Sequence, residues 1–142
     1  MQQPDDKIIE FLKEHHVLTL ATSIDNTPWC AQCFYSFIED EMTLVVSTDP
    51  ATRHGKEVLA NSTIAGSIVL ETSIVGKIQG IQFTGIMTEP TGDLFSKTNK
   101  SYLLRFPYAI LKDTHLWTIK LASIKMTDNR LGFGKKILWE KQ

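Results

Sequence analysis

The stretch Met42-Thr-Leu-Val-Val-Ser-Thr48, followed by Asp49-Pro-Ala-Thr-Arg-His-Gly-Lys56 (MTLVVSTDPATRHGK), decides the fold. Its first half is apolar and β-branched, which suits a strand. Its second half predicts a helix over about 49–61, with Asp49 as the N-cap and Pro50 in the first position. Thr52, Arg53 and His54 then fall in the first turn, with Lys56 just beyond. The amino end of a helix carries partial positive charge, so cations there are repelled unless an anion is present. Free amides, a hydroxyl, a guanidinium and an imidazole at one helix start are the groups that hold a phosphate. The bland alternative is that these side chains reach into water, at a dipole cost of ~0.3–1 kcal/mol each.

Working outward, 17–24 (VLTLATSI) reads as a strand, 25–28 (DNTP) as a turn and 29–38 (WCAQCFYSFI) as a second strand. With 42–48 they form a three-stranded meander. Ahead of them, 4–16 reads as a helix started by Pro4, Asp5 and Asp6, with an apolar stripe of Ile8, Ile9, Phe11 and Leu12. Strands follow at 62–71, 76–90 and 116–127, with a short last one within KKILWE. Gly80 and Gly85 predict bulges in the fifth strand. A helix over 91–106 is expected to be capped by Asp93, to show an apolar face of Leu94, Phe95, Tyr102 and Leu103, and to stop at Pro107. Six or seven strands with helices at the start, after the third strand and after the fifth fit an antiparallel, barrel-like α+β domain.

The bulk properties narrow the function. The 142 residues suit a single domain spanning 1–142. A net charge of -1 gives no general attraction to nucleic acid or an anionic membrane. No apolar run nears the ~20 residues of a membrane span. The first residues lack the apolar segment of a secretory signal, and there are only two cysteines, so a reducing cytoplasm is expected.

Other candidate chemistry is weak. Cys30 and Cys33 form C-x-x-C, but within a strand positions i and i+3 face opposite sides, and no second pair completes a zinc site. The four histidines show no ligand spacing, so no metal is expected. Gly132-Phe-Gly134 is a turn rather than a phosphate loop, and Arg130, Lys135 and Lys136 read as a solvated face.

Ser47-Thr48 closing a hydrophobic strand, with Thr52-Arg53-His54 opening a helix, resembles the flavin-phosphate motif of the pyridoxamine-phosphate-oxidase-like split barrels. There the strand ends aromatic/Thr-Asn and a Ser-Arg-Lys triplet follows; here Thr52 replaces the Ser and His54 the Lys. The strand around TLAT (19–22), the strand Gln32–Phe37 and Gln82 in GIQFTGIMTEP follow the same order, and the tail 105–139 resembles the small bacterial YhbP-like subgroup. The resemblance covers nearly the whole chain.

It implies a split β-barrel and a homodimer binding flavin mononucleotide (FMN) at the subunit interface. Thr48, Thr52, Arg53 and His54 would hold the phosphate. Ser47 and the strand Gln32-Cys33-Phe34-Tyr35 would lie along the ring and ribityl chain, partly through backbone groups, and Gln82 would bond a polar edge of the ring. The opposite subunit would add contacts, with Arg105, Trp117 or Lys135 as candidates. The flavin would make the protein an oxidoreductase; no catalytic side chain stands out. The Arg-x-His segment that grips substrate phosphate in true pyridoxamine-phosphate oxidases is absent from GFGKKILWEKQ. A flavin- or haem-binding module without turnover is the alternative, and a nucleic-acid barrel using the aromatics of 29–37 runs against the near-zero charge.

Overall fold

The computed structural model describes residues 3–111 and 114–142. Its strands are β1 (Val17–Ile24), β2 (Thr27–Ile38), β3 (Thr43–Ser47), β4 (Thr63–Val69), β5 (Gln79–Thr88), β6 (Leu116–Asp128) and β7 (Lys136–Glu140). Its helices are α1 (Asp6–Glu14), α2 (Arg53–Ala60) and α3 (Asp93–Arg105). All strand pairs are antiparallel, in the order β3-β2-β1-β4-β5-β6-β7, and β3 also pairs with β6. That last pairing closes a six-stranded barrel and leaves β7 as an outer extension of β6.

Closure is incomplete because β3 is short. It pairs with β2 only over Tyr35–Ile38 and with β6 only over Leu116–Lys120. The two longest strands therefore change partners midway: β2 pairs with β1 up to Phe34, and β6 passes to β7 from Ser123 onward. The changeover in β6 needs a bulge. Thr84 faces Ser123 but Gly85 faces Leu121, which leaves Ala122 as the extra residue. Gly85 is required there, since a Cβ would come within 2.7 Å of the Lys120 carbonyl oxygen. Gly80, also expected at a bulge, pairs regularly with Thr127 and Val69.

Alternate residues point into the barrel, as the two-residue period of a strand requires. Leu18, Leu20, Tyr35, Leu44, Val46, Ile81, Phe83, Trp117 and Ile119 fill it. Ile8, Phe11 and Leu12 of α1 and Val58 of α2 join the same core. A second, smaller core of Ile38, Val45 and Tyr102 seats α3 on the outer face of β2 and β3. Among the described residues α3 also reaches the start of β6, and no helix packs on the outer face along β4, β5 and β7.

Two helix starts differ from expectation. Gly92, at φ 61, is the N-cap of α3, and Asp93 is its first helical residue; glycine takes a positive φ that costs other residues energy. Phe95, expected on the buried face, is 55% exposed. The second difference, at α2, shapes the candidate site.

Candidate functional site

α2 begins later than its sequence suggests. Asp49-Pro50-Ala51-Thr52 forms a tight turn: the Thr52 amide donates to the Asp49 carbonyl, and the Ala51 amide to Asp49 Oδ1. Thr52, not Asp49, is the N-cap, accepting from the Gly55 amide at 3.1 Å. Asp49 is consumed by the turn because an Asp side chain readily bonds the backbone two residues on. The turn lies so close to the helix that a Cβ at Gly55 would meet the Asp49 carbonyl oxygen at 2.6 Å and Pro50 Cα at 2.8 Å. The amides of Arg53 and His54, the first two helical residues, have no hydrogen-bond partner among the described residues.

Register brings this segment beside β2. Val46 pairs with Tyr35, so the chain leaving β3 runs back alongside Phe34, Cys33 and Gln32. There the two strands part. Thr48 stays with the β6 side, donating its amide to the His115 carbonyl, and its own carbonyl accepts from Trp117 Nε1 at 3.0 Å. Among the described residues no strand pairs with the edge of β2 over Thr27–Phe34 that faces away from β1. The split of the barrel is the gap in strand pairing between the β2 edge and Ser47–Arg53, here called the cleft. Arg53 reaches across it at the far end, its guanidinium 4.0 Å above the Trp29 ring.

The expected cluster of unpaired cations is not what forms. Arg53 Nε donates to Glu57 Oε2 at 2.9 Å, and the Thr22 hydroxyl donates to Glu57 Oε1 at 2.9 Å. Arg53 therefore carries its own counter-ion, and four of its five N–H donors remain for a ligand. His54 is half-buried, and burial lowers its pKa below the ordinary 6.5 against a smaller opposing pull from Glu57. Burial thus favours the uncharged imidazole at the helix amino end, where a cation is repelled. Its Nε2 lies 2.5 Å from Thr48 Oγ1 and 3.3 Å from Thr52 Oγ1. The one proton of the Thr52 hydroxyl goes to the Asp49 carbonyl, so toward His54 that oxygen only accepts. At the shorter contact the ring tautomer decides which of Nε2 and the Thr48 hydroxyl donates.

The remaining expected residues divide by strand parity. Gln32 and Phe34 point outward and are exposed, while Cys33 and Tyr35 are buried at 5% and 0%. Burial raises the Cys33 thiol to about 11 and raises the Tyr35 phenol as well. The Tyr35 hydroxyl donates to the Leu12 carbonyl at 2.7 Å, inside the fold. Only backbone groups of Cys33 and Tyr35 can face the cleft. Ser47 closes β3 and bonds Tyr102.

Gln82 is not gathered with the others. It shares a lateral row with Gln32, Thr19, Ser67, Lys125 and Leu138 across the outer face, three strands from Gln32, or roughly 14 Å at normal strand spacing. Apart from Gln32, this row floors an open trough of about 760 Å³ lined with small side chains such as Ala21, Ala65, Ser67 and Ser123. Trp117 is buried, and Arg105 donates to the carbonyls of Lys13 and His15, neutralising the carboxyl end of α1. Both serve their own chain; Lys135 stands in the loop before β7.

The residues that pattern reading missed are Glu57, Trp29, Thr22 and Gly55. The Arg53–Glu57 spacing of four on a helix was a visible signal. Trp29 and Thr22, directly paired across β1 and β2, come to the site only through the register. Among the described residues no group of three or more His, Cys, Asp or Glu could hold a metal ion, and no helix is long and apolar enough to cross a membrane.

The family model described as pyridoxamine 5'-phosphate oxidase matches residues 4–126. The chain is 39% identical over 143 residues to a UPF0306 protein of Yersinia pseudotuberculosis, covering 99% of this chain and 97% of the relative. A heme binding protein from Mycobacterium smegmatis superimposes with a TM-score of 0.78 at 16% identity, over 99% of this chain and 60% of that one. The FAD binding protein from the same organism gives 0.68 at 12% identity, over 94% and 95% of the two chains. At such identities the two structures establish a shared fold, the split barrel.

Proposed function

The chain belongs to the pyridoxamine 5'-phosphate oxidase family and to its bacterial UPF0306 relatives, and on that premise we propose that it binds FMN and works as a flavin-dependent oxidoreductase. The observation that carries this reading is the cleft between the β2 edge and Ser47–Arg53. Beside the Thr48 hydroxyl, two unpaired amides and the open side of the Arg53 guanidinium remain. These are donors without acceptors, the complement of a phosphate. The unpaired β2 edge offers backbone groups to a ring and its ribityl chain, in the positions expected of Gln32 to Tyr35. A bound flavin would supply electron transfer to an acceptor; this chain would hold it, orient it and shield one face.

A homodimer completes the proposal. Phe34, Val17, Val69 and Leu138 are exposed on the same outer face as the trough, an apolar surface suited to a second copy. Gln82 stands in the middle of that face, where it would meet the flavin of the partner rather than its own. Free Cys30 and Cys33 suit a cytoplasmic setting.

The test is an absorbance and mass analysis of the supernatant of heat-denatured protein, with FMN titration of stripped protein. A released FMN, or saturable binding lost in Arg53→Ala, supports the reading. Neither native nor FMN-soaked protein holding flavin ends it.

A second reading, a flavin or haem module without turnover, is favoured by one feature: no free acid or base stands at the cleft. Both Glu57 oxygens are engaged, and His54 is hydrogen-bonded, with burial favouring its uncharged form. Photoreduction without oxygen, followed by candidate acceptors, separates the two, since steady turnover excludes the passive module.

A further inference from the structure

Glu57 lies on the second turn of α2 with both carboxylate oxygens engaged, one by Arg53 Nε and one by the Thr22 hydroxyl. Its side chain is 13% exposed. The Arg53 hydrogen bond, then that of Thr22, holds its pKa below the ordinary range, so it stays ionised and fixed in place. Trp29 packs on the guanidinium of Arg53 from another side. Arg53 is thereby locked with its Nη fork open while its charge is already compensated. Burial of the neighbouring His54 favours its uncharged form. A donor cradle whose guanidinium is already ion-paired is an unusual host for a doubly ionised group, because its hydrogen bonds favour phosphate while the compensated charge adds little.

We propose that Glu57 is the specificity-determining residue for the charged tail of the ligand: it positions the Arg53 fork and offsets its charge, so the cleft accepts a singly ionised phosphodiester tail nearly as well as a doubly ionised monoester. This rests on the proposal that the cleft holds the phosphate of a flavin. The two actions of Glu57 are separable. Glu57→Gln keeps an acceptor oxygen for Arg53 and removes the charge. Glu57→Ala removes both. Glu57→Asp keeps the charge.

The experiment titrates FMN, the phosphodiester formed by methylating its phosphate, and riboflavin into the stripped full-length wild type and these variants, by flavin fluorescence, with a thermal melt of each. In Glu57→Gln, FMN binding tightens about tenfold, methyl-ester binding about threefold, and riboflavin binding does not change, as expected for one unit charge removed near a dianion, a monoanion and a neutral tail. Glu57→Ala gives the same shift in the preference between FMN and its methyl ester but weaker absolute binding than Glu57→Gln, because the fork is released. Glu57→Asp keeps the wild-type preference. Equal effects on all three ligands, an unchanged preference in Glu57→Gln, or a shift in Glu57→Asp matching that of Glu57→Gln overturns the inference. Arg53→Ala distinguishes the two levels. If it binds FMN as wild type does, the phosphate cradle itself is lost; if it weakens FMN while Glu57→Gln leaves the preference alone, only the role of Glu57 falls.

Discussion

The buried indole of Trp117 donates to the main-chain carbonyl of Thr48 at 3.0 Å, so a core residue of β6 fixes the point where β3 gives way to the cleft. Thr48 is held a second time by its amide to the His115 carbonyl. The position of Thr48, where β3 ends, is thus set from inside the barrel. Trp117→Phe removes the donor and leaves that carbonyl short of a partner, which costs about 1–3 kcal/mol. Urea unfolding should show that loss, and FMN affinity should fall with it. Ile8→Ala on α1, also destabilising, should leave FMN affinity unchanged.

Arg53→Ala should weaken FMN binding by about 1.5–3 kcal/mol, the range of a hydrogen bond to a charged group. Riboflavin, which lacks the phosphate, should bind wild type and variant alike. Calorimetric titration of both ligands checks the difference.

Gly55→Ala should destabilise the protein, although alanine normally favours a helix by roughly 0.5–1 kcal/mol over glycine. The new Cβ would meet Asp49 O and Pro50 Cα, both backbone atoms that cannot turn aside. Overpacking of this kind costs about 1–3 kcal/mol. A lowered melting temperature together with weaker FMN binding is expected, since the displaced turn carries the N-cap Thr52.

Stability should fall on acidification below about pH 6.5. Burial is the leading cause that lowers both His15 and His54 from their ordinary 6.5. The unfolded chain therefore takes up protons first as pH falls, which favours unfolding until the folded histidines titrate in turn. Denaturant unfolding at pH 7.5 and 5.5 measures the loss, and His54→Gln and His15→Gln should each reduce it.

The two thiols should differ sharply. Cys30 is exposed, whereas Cys33 is buried with its pKa raised to about 11. A thiol reagent should label one cysteine in the native protein and two after denaturation. An intramolecular Cys30–Cys33 disulfide should not form, because neighbouring parity sends the two side chains to opposite faces of β2.

Much of the architecture is written in local pattern. The alternation in VLTLATSI and LWTIKLASIKMT marks β1 and β6, and the stripe of Ile8, Phe11 and Leu12 marks α1, because burial of one face imposes its period on the sequence. The order Ser47-Thr48, Thr52-Arg53-His54 was enough to indicate the family. Local pattern misjudged the start of α2, where Asp49 and Thr52 are both good caps and only the packing of the turn against Gly55 chooses between them.

The chain order by itself determined the strands, the helices and the donors grouped at 48–54, since these depend on neighbours within a few residues. Tertiary structure alone decided that Glu57, Thr22 and Trp29 surround Arg53, that Cys33 and Tyr35 turn inward, and that Gln82 lies strands away. Register and barrel closure join residues far apart along the chain, and a charge or hydrogen bond is satisfied by whatever that closure brings within about 3 Å, which no local pattern records.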